Sequence, residues 1–183
     1  HDVHFTDVPI PGDHAVDLRP PGGWSGPDPW QQAWSCTLLA ALYDGVARAA
    51  QDWFTGFLRA RRPGSLGAPL ASLPRFHAGV GENERLLAVN ARLVAGLAAE
   101  VDAGHPPPPR ESGFVKLTAT ENAVAAVQRA AELCGNAALS RANPLERHLR
   151  DVLCARIHWP QGDAVRTQAG RAALEASSEG IFP

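Results

Sequence analysis

Apolar and polar positions recur with two different periods along this chain. Residues 3–10, VHFTDVPI, alternate at every second position and stop at Pro11-Gly12, which predicts one β-strand. Residues 11–29 are rich in Pro, Gly and Asp and predict a linker. Beyond it the period is helical. Asp28-Pro29 supplies an N-cap and a first-position proline. Trp34, Leu38, Leu42, Val46, Ala49, Trp53, Phe57 and Ala60 then recur at steps of three or four, predicting a first helix with this stripe against the core. Arg61-Arg62-Pro63-Gly64 ends it with cations and a breaker. A second helix is predicted over residues 74–103, its apolar face made by Val80, Leu86, Leu87, Ala91, Leu93, Val94, Leu97 and Val101. Gly104 closes it, and His105 with the four prolines after it reads as a stiff extended connector. A third helix is predicted over residues 113–139, or from a Thr118…Glu121 capping box, with an interruption at Gly135-Asn136. Asn143-Pro144 opens a fourth, through about Ile157, which Trp159-Pro160 ends, and residues 163–175 form a short fifth.

Long amphipathic helices with short or stiff connections predict an all-α fold, an up-and-down four-helix bundle with a short N-terminal β-strand and a short extra C-terminal helix. Residues 1–28 read as a remnant strand and linker whose sheet lies upstream, and residues 29–183 as the helical domain. The first residue is His rather than Met, as expected of an excised or processed piece. The chain has 183 residues, a net charge of −2 and 45% hydrophobic residues, enough for one sizeable core. Without a basic excess, nucleic acid is not an expected partner. No apolar run nears the roughly 20 residues that span a bilayer, and no signal-peptide pattern is visible, so the expectation is a cytoplasmic protein with no membrane partner. Cys36, Cys134 and Cys154 lie in separate helical patterns and are expected as buried free thiols. Arg147 and Asp151 are spaced for an ion pair on the fourth helix. His1 and His4 have ligand-like spacing, but a flexible terminus accounts for them and no metal is expected.

The segment from Thr118 to His158 carries a more specific signal. Ala130, Leu133 and Gly135 precede a short loop, and Pro144-Leu145-Glu146-Arg147 and Arg150-Asp151 follow it. This order resembles the C-terminal helical domain of the acyl-CoA dehydrogenase superfamily of flavoproteins. The rest of the chain extends the resemblance. Val8-Pro9-Ile10-Pro11 is similar to the last strand of the family's β-domain. Residues 45–50 and 57–61 are similar to its first C-terminal helix, and Leu66-Gly67-Ala68-Pro69-Leu70 to the loop after it.

The resemblance implies a flavin, FAD or alternatively FMN, at a subunit interface of a homo-oligomer, a dimer or tetramer. It implies that Arg61 contacts the pyrophosphate of a neighbouring subunit's flavin, and that Gly135 and Asn136 let backbone approach it closely. Pro74 stands where the family has a flavin-contacting Gln. The family's catalytic Glu follows the Arg-Asp pair, where this chain has His158-Trp159-Pro160-Gln161. Its alternative place on the first helix falls near Ser35-Cys36, again without a carboxylate. His158 instead matches relatives of the fold that act as flavin-dependent monooxygenases, with a His after the Arg-Asp pair; imidazole titrates near neutrality and can move a proton there. Three functions follow: part of an oxidoreductase acting on an acyl-CoA thioester, part of a monooxygenase acting on an aromatic small molecule, or a non-catalytic oligomerisation module. Most of the β-domain and all of an N-terminal domain are absent, so this chain alone is expected to bind flavin weakly or not at all.

Overall fold

The computed structural model describes residues 2–14, 19–20, 22–23 and 28–176, with no side chain described at 176. Much of the predicted linker falls outside the described residues. Among the described residues five α-helices follow one another: α1 (Pro29–Ala60), α2 (Pro74–Asp102), α3 (Pro109–Cys134), α4 (Pro144–Leu153) and α5 (Gly162–Ala176). Short 3₁₀ helices join them at Leu70–Ser72, Gly135–Leu139 and Cys154–Arg156. Each of the first four α-helices opens on a proline, whose missing N–H is no loss in a first turn. At α1 the cap is the expected one, Asp28 Oδ2 accepting from the Gln31 N–H at 3.2 Å. The third helix starts four residues earlier than predicted, because the last proline of the run, Pro109, serves as its first residue. Thr118 and Glu121 therefore lie mid-helix and form no capping box; Glu121 pairs instead with Arg166 of α5.

Residues 3–10 form no strand. Val3, Phe5, Val8 and Ile10 are 74, 80, 56 and 73% exposed. A period-two pattern becomes a strand only by pairing its backbone groups with a neighbour, and none is present among the described residues.

Helix α3 is central, packing on α1, α2, α4 and α5. The main core gathers Tyr43, Phe54, Leu58, Phe76, Leu87, Val127, Leu145 and Val152 with a bed of alanines. A smaller cluster, Ala33, Cys36, Leu97 and Val101, closes the other end. The buried face of α1 is not the predicted stripe. Ala33, Ala40, Ala47 and Ala50 are at most 1% exposed, while Leu38 and Leu42 are 63 and 56% exposed. Small side chains let neighbouring helices approach closely, and the larger ones are left on the outer face.

A polar ladder crosses this core at seven-residue intervals. In one layer Asn90 Nδ2 of α2 donates to Asp44 Oδ1 of α1 (3.1 Å) and to the Ala119 carbonyl of α3 (2.9 Å), and Asn122 Nδ2 donates to Asn90 Oδ1 (2.9 Å). Two helical turns away Asn83 Nδ2 donates to Gln51 Oε1 (2.9 Å) and to the Ala126 carbonyl (3.1 Å), and Arg129 Nη1 donates to Asn83 Oδ1 (2.9 Å). Asp44/Gln51, Asn83/Asn90 and Asn122/Arg129 each differ by seven, so both layers occupy equivalent positions. The order of the partners makes α2 antiparallel to α1 and α3. Buried polar groups must be paired, so a slip in register would leave several without partners at once. The i,i+4 ion pair on α4 is Glu146–Arg150 at 2.7 Å, not Arg147–Asp151.

Candidate functional site

The turn after α4 is held by a buried cation. Residues 154–160 leave the helix through a 3₁₀ turn and a cis Trp159–Pro160 bond. Lys116 of α3, 1% exposed, lies beneath this turn. Its Nζ donates to the carbonyls of Ala155 (3.3 Å), His158 (2.8 Å) and Pro160 (3.1 Å). Burial pushes its pKa below the usual lysine range, and Coulomb attraction to nearby Cys36 opposes that push.

His158 is exposed, with its ring against Tyr43 of α1, centroids 5.8 Å apart and planes at 43°. Tyr43 is 4% exposed. Burial raises its phenol pKa, and the charges of Cys154 and Asp151 raise it further. An imidazole, a phenol, a thiol and a carboxylate thus share one rim of the bundle. The α1 residue that meets the turn is Tyr43, two helical turns beyond the expected Ser35-Cys36; Cys36 is buried beside Ser112 and Lys116. Neither place supplies a carboxylate, and the adjacent Asp44 is occupied by Arg48 (2.6 Å) and Asn90. On the far side of the turn an open cleft of about 640 Å³ is lined by Lys116, Thr120, Ala155, Gln161 and Arg166, among others.

The other predicted residues gather elsewhere. Arg61 caps the C-terminus of α1: its N–H bonds the Phe57 carbonyl and its carbonyl accepts from Leu70 (both 2.9 Å). Its side chain is exposed and makes no ion pair among the described residues. Gly135 ends α3 with φ 58° and ψ −132°, a conformation that suits glycine. A Cβ built there meets nothing within 4 Å, so the turn is open to a ligand or another chain. Asn136 beside it is exposed. α1 and α3 run parallel, so Arg61 and the Gly135-Asn136 turn lie at the same end. Tyr43 lies 18 residues before Arg61, about 27 Å along a helix axis. His158 therefore belongs to a separate region of the surface. Cys154 is exposed and Cys134 half-buried; only Cys36 is the fully buried thiol expected, though all three are free.

Sequence reasoning missed Tyr43 and the role of Lys116. Each is the only residue of its type in the chain, and that singularity was the available signal.

The family model for the C-terminal domain of acyl-CoA dehydrogenase matches residues 37–160. The chain is 30% identical to YdbM of Bacillus subtilis (strain 168), named as a candidate acyl-CoA dehydrogenase, over 96% of this chain and 45% of that protein. It is also 30% identical to L-evernosamine nitrososynthase of Micromonospora sp. (strain ATCC 39149 / NRRL 15099 / SCC 1413), over 93% of this chain and 42% of that one. Among solved structures, butyryl-CoA dehydrogenase from Megasphaera elsdenii shares the fold, with TM-score 0.72 and 20% identity over 80% of this chain and 37% of that chain. The chain spans less than half the length of these relatives. With the helical fold and more than half of its residues matched, it belongs to the acyl-CoA dehydrogenase family, whose C-terminal domain it represents.

Proposed function

We propose that this chain is one wall of a flavin site in an acyl-CoA dehydrogenase-like oxidoreductase, completed by protein outside residues 29–183. The carrying observation is that its candidate contacts are open at the surface and split between two regions. Arg61 and the Gly135-Asn136 turn sit at one end, and His158 with Tyr43 about 27 Å away. One bundle cannot enclose a cofactor with groups so disposed; a second surface laid across it can. The residues suit the group. A guanidinium with no other ion pair among the described residues matches phosphate oxygens in charge and fork geometry. A glycine with open space at its Cβ position lets backbone N–H groups approach. A bound flavin would supply the redox centre. At the other end His158 would hold or accept a proton, with the neutral Tyr43 phenol beside it.

An exposed apolar row on α1 supports the same reading: Trp30, Trp34, Leu38 and Leu42, 42, 38, 63 and 56% exposed at steps of four residues. A contiguous patch of this kind marks contact with further protein, and we assign it to homo-oligomer formation. Domain limits at 1–28 and 29–183 belong to the same proposal.

A flavin monooxygenase of the same fold is the second reading. It is favoured by the vacant carboxylate positions, by His158 and by the nitrososynthase relative. Absorbance of the purified chain at the flavin bands, titrations with FAD and FMN, and mass in solution test the first proposal. The expected result is an oligomer with weak or no flavin binding. Flavin retained at full occupancy by this polypeptide alone overturns the shared-wall model. In a longer polypeptide including the upstream sequence, oxygen consumption with reduced flavin separates the monooxygenase from the dehydrogenase. Loss of either activity in His158→Gln supports its role.

A further inference from the structure

Lys116 is the only lysine in 183 residues, and it is buried to 1% exposure. A buried ammonium is costly unless its donors are met. It has three N–H donors, and three carbonyls receive them, all within residues 155–160. No carboxylate pairs with it among the described residues, so carbonyl dipoles at the end of α4 and its 3₁₀ extension carry the compensation. An exposed lysine could satisfy a helix end while leaving the chain beyond it free. Here the cation is fixed by α3 and reaches past the helix end to His158 and Pro160. The shortest of its bonds, 2.8 Å, is to the residue whose ring lies against Tyr43.

We propose that Lys116 is the positioning residue of the His158 site: its ammonium gathers residues 155–160 into the one turn that sets the His158 imidazole against Tyr43. The functional importance of that position rests on the role proposed for His158, but the position itself is measured separately. Lys116 acts through the backbone and touches no reacting group.

A single lysine makes the test direct, because the ammonium gives one signal in a lysine-selective ¹⁵N–¹H correlation spectrum. In the native chain its protons are expected to exchange slowly and to show nuclear Overhauser contacts to His158 and Pro160. The His158 ring, identified by its loss in His158→Gln, is expected to show a contact to Tyr43. Lys116→Met, which keeps the length and removes the donors, is expected to remain helical by circular dichroism and to lose the ring contact. Gly79→Ala, placed where its methyl would press on Leu133, disturbs packing elsewhere and is expected to keep it. Ammonium protons exchanging as fast as those of free lysine would overturn the proposal, even if Lys116→Met does not fold. A ring contact surviving in a folded Lys116→Met would overturn it too. A catalytically silent His158 with these contacts intact refutes the functional reading alone.

Discussion

Replacing Asn90 with leucine tests whether the polar ladder sets the register of the bundle. Asn90 is 0% exposed and joins three helices. The substitution removes its bonds to Asp44 Oδ1 at 3.1 Å and to the Ala119 carbonyl at 2.9 Å, and the bond it accepts from Asn122 at 2.9 Å. Leucine has the same side-chain branching but a larger volume, so no cavity is left; overpacking adds to a loss that is mainly polar. Two neutral hydrogen bonds contribute about 1 kcal/mol each and one to a carboxylate about 1.5–3 kcal/mol. Asp44 keeps Arg48 at 2.6 Å, which limits the penalty on its charge. The expected destabilisation is about 3–5 kcal/mol, a large share of a typical domain's 5–15 kcal/mol. At about 2–4 °C per kcal/mol for a chain of this size, Tm falls by about 6–20 °C. Denaturant titration gives the free energy directly, with an unchanged m-value showing that the folded state is still compact. Asn122→Leu and the double variant complete a cycle, with an expected coupling of about 0.5–3 kcal/mol. A loss below about 1 kcal/mol, or strict additivity, would mean that the ladder does not hold the three helices in register.

Gly79→Ala places a Cβ against Leu133 Cδ1, the movable end of a side chain, at the α2–α3 contact. An overpacking cost of about 1–3 kcal/mol is offset by the roughly 0.5–1 kcal/mol that Ala gains over Gly inside a helix, so a net loss of up to about 2 kcal/mol is expected in a thermal melt; stability at or above wild type would show that Leu133 turns aside. Leu38→Asp with Leu42→Asp is expected to lower the sedimentation mass of the chain while changing the stability of the monomer by no more than about 0.5 kcal/mol per site, since both side chains are exposed. An unchanged mass would remove the α1 row from the assembly interface. A thiol reagent is expected to modify Cys154 readily in the native protein. Cys134, whose pKa burial pushes up to about 11, should react slowly near neutrality and faster as pH rises, and Cys36 only on unfolding. Equal rates would contradict the burial pattern. Tyr43 has its phenol pKa raised above 10 by burial. Its contribution to stability is therefore present below pH 10 and lost as pH rises through the folded value. Tyr43→Phe should flatten the decline in Tm above pH 10, and an identical slope would refute the shift.

Much of this molecule is local and could be read from the chain. Helix starts at Pro29, Pro74 and Pro144 need only a proline, a preceding extended residue and an apolar period after them, all within a few residues. The break at Gly135 needs only a residue that accepts positive φ. The order of these elements, together with Arg61, Gly135-Asn136 and the Arg-Asp pair, was enough to point to the family.

Tertiary structure decided which face of each helix is inside. A helical period identifies a stripe of large apolar residues, but burial in α1 follows the close approach of α3, which selects the alanine face and leaves Leu38 and Leu42 outside. Asp44, Gln51, Asn83 and Asn90 look like solvent-facing residues until partners from two other helices satisfy them. Residues 3–10 had the pattern of a strand, but no neighbouring backbone pairs with them among the described residues. Tyr43, Lys116 and His158 are separated by 42 residues or more in the chain, and only the packing of α1, α3 and the end of α4 brings them together. Local propensity depends on a residue and its near neighbours, whereas burial, buried polar pairing and a site depend on what another segment places opposite.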